Sequence, residues 1–157
     1  MNIRYVIYCF CLLYHYCSFG AMSPVFLAFK QCTDTKIFNA TMFSQLLNSG
    51  VDVNATNMDG DSLLFCAVAS NNYECAKFLL AHGADVNKTD LDGHATPLHV
   101  ACVKESEKMV RLLLAQKNID PNIKSTVKEG ETPLIISSKG PERVTKDIVI
   151  KRGNPPV

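Results

Sequence analysis

No C-x-x-C pair occurs among the seven cysteines, and the four histidines are scattered, so the chain lacks the ligand spacing of a zinc site. A glycine-rich phosphate loop is also missing. The stretch DVNKTDLDG at 85–93 carries oxygen-bearing side chains at alternate positions. An EF-hand calcium loop, however, needs glycine at its sixth position and a bidentate acid at its twelfth. Counted from Asp85 those places hold Asp90 and Thr96, and counted from Asp52 they hold Asn57 and Leu63. No metal or cofactor is therefore expected. No pairing of a base with a nucleophile or of two carboxylates suggests catalysis, so an enzyme is not expected either.

Charge of one sign is equally scarce. The formal net charge is +1. It conceals a gradient, since residues 51–93 hold seven acids against two lysines, while 104–157 hold eleven bases against seven acids. A dense basic stripe with interleaved aromatics is absent, which argues against nucleic-acid binding.

What is present is ordinary globular composition: 157 residues, 47% apolar and 20% charged, enough for one core or one stacked array. The cysteine number is odd. Cys9, Cys11 and Cys17 lie in an apolar N-terminus, and Cys66, Cys75 and Cys102 fall inside predicted helices. They read as small buried hydrophobes rather than a disulfide framework.

A repeat organises the rest. GVDVN at 50–54, GADVN at 83–87 and NIDPN at 118–122 each follow a leucine-rich run, SQLLNS, KFLLAH and RLLLAQK. Their final asparagines are 33 and 35 residues apart. Asp-Gly pairs at 59–60 and 92–93 lie between these marks, followed by SLLFCAV and TPLHVAC. TPLIISS at 132–138 repeats the last opening. A threonine cap followed by proline at the first helical position starts a helix without losing a hydrogen bond. Each unit thus reads turn, short helix, short helix, turn. Gly60 aligns with Gly93, Ser62 with Thr96, Leu64 with Leu98 and Gly83 with Asn118. The glycine and asparagine of the last pair are both expected to end a helix in the left-handed conformation.

With this period and the TPLHVA stretch, the sequence resembles the ankyrin repeat family, whose unit of about 33 residues carries T-P-L-H-x-A. The resemblance covers roughly residues 40–140, with complete repeats at 57–89 and 90–123. The second half of an earlier unit falls at 40–54 and the opening of a later one at 130–140. The second complete repeat has an extra residue near Ala95 and another near Lys117, both in turns. SPVFLA at 23–28 reads as a weakened helix opening, and the stretch after Ser138 as a degraded C-terminal cap or a chain cut short.

The resemblance implies an all-α ankyrin repeat solenoid over residues 22–157, acting as a monomeric, non-catalytic module that binds a partner protein on its concave surface as adaptor or competitive inhibitor. It also implies that His99 ties a helix start to neighbouring backbone. Carried over by position, the finger residues are Met58, Asp59 and Asp61, then Leu91, Asp92 and His94. The helix-borne ones are Ala69, Ser70, Val103 and Lys104, and Glu129, Glu131 and Lys139 extend the line. Acids flank apolar Met58 and Leu91, which suits a partner with a basic segment around an apolar anchor; the acids also suit plain turn formation.

The N-terminus admits several accounts. From Tyr5 to Phe29 no Lys, Arg, Asp or Glu occurs. Residues 1–21 form an apolar leader that fits a signal peptide, and residues 5–29 are long enough for a membrane anchor. A start at Met22 would instead leave a cytoplasmic protein, the expected location; a membrane-anchored or secreted protein presenting the array to an extracellular or host target is the alternative. Sequons at Asn39, Asn54 and Asn87 say little about export, because two of them are the closing asparagines of repeats.

Overall fold

The structure, a computed structural model, describes residues 39–57, 59–91, 95–126 and 130–139. The leader, the opening at 23–28 and the stretch from 140 onward lie outside them. The chain divides into two compact units, one ending at Asp52 and the other beginning at Val53.

In the first unit the described residues form α1 (Ala40–Asn48). Asn39 caps it, its Oδ1 accepting from the Met42 N–H at 3.1 Å. Gly50, at φ +89°, closes it. There the Gly50 N–H donates to the Leu47 carbonyl and the Val51 N–H to the Leu46 carbonyl, the paired bonds of a Schellman end. Phe43 is fully buried.

The second unit holds α2 (Leu63–Ala69), α3 (Tyr73–Ala81), α4 (Pro97–Val103), α5 (Glu107–Leu114) and α6 (Pro133–Lys139). Two antiparallel hairpins, α2 with α3 and α4 with α5, stack so that α4 lies between α2 and α6 while α5 lies against α3. No strand longer than a single bridge between Thr56 and Ser62 occurs among the described residues. This is an ankyrin solenoid built from helices of seven to nine residues, too short to stand alone in water.

Local chemistry sets each boundary. Ser62 caps α2, its Oγ accepting from the Phe65 N–H at 3.1 Å. Thr96 precedes Pro97 at the start of α4, and Asn72 caps α3 by accepting from the Cys75 N–H. Both hairpins turn through a left-handed residue, Asn71 and Glu105, each at φ 53°. The same closure follows each, Asn72 N–H to Ala67 O and Ser106 N–H to Ala101 O.

The left-handed end expected after the second helices appears at Gly83, φ +89°, but not at Asn118. The residue added near Lys117 lengthens that turn, which leaves α5 through a Gln116 N–H to Leu113 O bond instead. A chain with one more residue in hand can reverse direction without the strained conformation.

The core is the periodic set. Leu64, Ala67 and Val68 of α2, Cys75, Ala76 and Leu79 of α3, Leu98, Ala101 and Cys102 of α4, and Met109, Val110 and Leu113 of α5 are buried. At about 1.5–3 kcal/mol for each fully buried large aliphatic side chain, stacking supplies stability that no single hairpin could.

Candidate interaction surface

Asparagine and aspartate side chains brace the turns ahead of α2 and α4. Asn57 Oδ1 accepts from the Asp59 and Asp61 N–H groups at 3.0 and 2.8 Å, and its Nδ2 donates to Asp61 Oδ2 at 3.4 Å. In the next repeat Asp90 takes that place, its Oδ1 accepting from the Ala95 N–H at 3.0 Å. Asp61 is consequently half-buried and engaged in shaping its turn, whereas Asp59 stands in solvent.

Gly60 sits at φ +78°, and a Cβ there would come within 2.2 Å of the Leu91 side chain. One finger therefore leans on the next. Leu91 is nevertheless 72% exposed and Val103 64% exposed. Two large aliphatic groups are thus left in water at positions that the family pattern assigns to recognition. Lys104 and Ser70 are also exposed. The Ser70 hydroxyl donates to the Cys66 carbonyl at 2.8 Å, so its polar group serves its own helix. Glu131 is half-buried. Met58, Asp92 and His94 lie outside the described residues.

His99 is buried and held at both ring nitrogens. The Thr96 N–H donates to Nδ1 at 3.1 Å, with Thr96 Oγ1 2.8 Å from the same nitrogen. Nε2 lies 3.1 Å from the Glu131 carbonyl in the next repeat. With Nδ1 accepting, the proton must sit on Nε2 and be donated to that carbonyl. Burial lowers the pKa of the imidazole, against a smaller opposing effect of its bond to Glu131. The neutral ring is thus a tether between repeats. Phe65 and Ile135 stand at the matching positions.

A second set of ties was not visible in the sequence. Asn54 Oδ1 accepts from the Asp85 N–H at 2.7 Å, and its Nδ2 donates to the Gly83 carbonyl at 3.5 Å. Asn87 does the same one repeat later, to Asp120 N–H at 2.9 Å and Asn118 O at 2.7 Å. Asp85 and Asp120 shape these turns by accepting from the amide two residues on. The recurrence of D-x-N at this period is the signal that could have disclosed the ties, since one carboxamide presents a donor and an acceptor side by side.

Thiol reactivity is suppressed at half-buried Cys66 and buried Cys102. Burial, then Asp61 and Asp59, pushes the Cys66 thiol up to about 12, and burial pushes Cys102 up to about 12. A thiol so high is not a nucleophile near neutral pH. Among the described residues, no three His, Cys, Asp or Glu side chains are grouped to hold a metal ion.

This architecture is matched by the family model for ankyrin repeats (3 copies), over residues 35–125. The chain belongs to the ankyrin repeat family. It is 37% identical over 86 residues to I-Kappa-B like protein C1 of Microplitis demolitor bracovirus (isolate Webb), a match covering 54% of this chain and 49% of that protein. Over 97 residues it is 33% identical to the human transient receptor potential cation channel subfamily A member 1, covering 62% of this chain and 8% of the channel. A putative ankyrin repeat protein of Rickettsia bellii (strain RML369-C) is 38% identical over 79 residues, 50% of this chain and 9% of that one. The matched part thus spans about half or less of these relatives' own length. Ankyrin repeats generally mediate protein–protein interaction and are typically non-catalytic, and it is a protein partner that such an array binds.

Proposed function

We propose that the chain is a monomeric adaptor or competitive inhibitor that covers a surface of one partner protein with its fingers and first helices, and performs no chemistry itself. The observation that carries this reading is the exposure of Leu91 and Val103, the two most exposed large aliphatic side chains among the described residues. Desolvating two such side chains is the usual source of interface affinity, and charges around them set encounter and register. Exposed Asp59, with Asp92 as a second acid by sequence position, favours a partner whose apolar anchor is flanked by basic residues. The likeness to I-Kappa-B like proteins favours the inhibitor form.

The test is affinity capture of partners on the wild-type chain, followed by measured binding of the recovered protein to a Leu91→Ser/Val103→Ser variant and to an Asp59→Lys/Asp92→Lys variant. Each pair of substitutions is expected to weaken binding at least tenfold while leaving the circular dichroism spectrum unchanged. Unaltered affinity in both variants would refute the proposed face.

For location we propose the cytoplasm. The uncharged run from Tyr5 to Phe29 supports the second reading, a tethered or secreted array. Imaging of a C-terminally tagged chain with protease protection distinguishes the two.

A further inference from the structure

Resting on the second reading of location, a tethered or secreted array, we infer that, of the three sequons, Asn39 is the one whose N-glycosylation the folded chain accepts, and that Asn54 and Asn87 are closed to it because their carboxamides tie successive repeats together. The reaction concerned transfers an oligosaccharide from a lipid-linked pyrophosphate. Asparagine Nδ2 forms a bond to the anomeric carbon, the bond from that carbon to the pyrophosphate oxygen breaks, and Nδ2 loses one proton. The product is a secondary amide, which keeps its carbon substituents trans across the C–N bond, as a peptide does. The sugar therefore lies on the Oδ1 side of the nitrogen, where one of the two original hydrogens was.

Geometry at Asn87 makes that hydrogen indispensable. Its Oδ1 accepts from Asp120 N–H while its Nδ2 donates to Asn118 O. Both partners belong to one turn, so the edge of the carboxamide that carries Oδ1 and the neighbouring hydrogen is the edge facing the next repeat. Asn54 presents the same edge to Gly83 and Asp85. A sugar at either position would occupy the place of the following turn. Both side chains are also half-buried. Asn39 differs in each respect. It is exposed and, among the described residues, contributes only Oδ1, to the Met42 N–H, and an N-linked sugar leaves that oxygen available as acceptor. This distinction is independent of which protein the array binds.

The test is expression of the full chain behind a cleavable secretion signal in mammalian cells. Total product, cellular and secreted, is then partitioned by limited proteolysis and the sugar attachment points are mapped by mass spectrometry. The protease-resistant fraction is expected to carry sugar at Asn39, with Asn54 and Asn87 occupancy depleted from it at least tenfold relative to the protease-sensitive fraction or undetectable. Asn39→Gln should leave the resistant fraction with no more sugar than the depleted occupancy at Asn54 and Asn87. Resistant chains bearing sugar at Asn54 or Asn87 in the proportion seen in sensitive chains would overturn the inference. So would a resistant fraction without sugar at Asn39.

Discussion

His99 couples burial to protonation. Unfolded, its imidazole titrates near the ordinary 6.5, whereas in the fold burial holds it lower. Above about pH 6.5 both states are neutral and the tether to Glu131 contributes in full. As the pH falls through this range toward the folded pKa, the unfolded chain takes up a proton that the folded chain resists, so stability drops. His99→Ala should cost about 2 kcal/mol at pH 7.5, and the gap between wild type and variant should narrow steadily toward pH 5 in urea titrations; a constant gap would contradict the neutral tether. Glu105 is a second pressure point. It occupies a left-handed turn at φ 53°, a conformation that disfavours an L side chain by about 1–2 kcal/mol. Glu105→Gly should therefore raise the stability by about 0.5–1 kcal/mol, after the loss of backbone restriction in the unfolded state is set against the relief. The midpoint of urea unfolding reads this directly, and an unmoved or lower midpoint would show that the turn is unstrained.

At the scale of the helix, α5 separates packing from mere hydrophobicity. Leu113 is fully buried, while its neighbour Leu112 is only half so. Leu113→Ala should cost about 2–5 kcal/mol and Leu112→Ala less than half as much, measured by urea unfolding; equal losses would mean that the helix presents a different side to α3 and α4. Which helices exist was readable beforehand. The Thr-Pro openings at 96 and 132, the leucine runs and the recurring asparagines located the helices, and Leu79 and Leu113 of those runs are buried. What escaped the reading depends on neighbours thirty residues away or on an added residue. The Asn54 and Asn87 ties exist only when the next turn is in place, and Asn118 departs from its aligned Gly83 because Lys117 lengthens the turn. The residues transferred from the family pattern differ in surroundings. Leu91 and Val103 are exposed, but Asp61, grouped with Asp59 by sequence, turns inward to hold its own loop. Chain order alone could not tell which of two nearby acids would serve the turn.

In the molecule as a whole, α4 is the hub, packed on α2, α5 and α6. Stability in such arrays is a sum of weak units and neighbour interfaces, so damage at the hub should spread. Leu98→Ala is expected to lower amide protection in α2 and α6 together in hydrogen-exchange mass spectrometry, at a cost of about 2–5 kcal/mol; a loss confined to α4 would show that the hairpins hold independently. The ties between repeats also have a direction in time. They join residues 29 to 35 positions apart, and in both asparagine pairs and at His99 the side chain comes first and the backbone it grips comes later. During synthesis, then, each newly made hairpin emerges from the ribosome with its clasp open, and it can fasten only after one further repeat has followed it out.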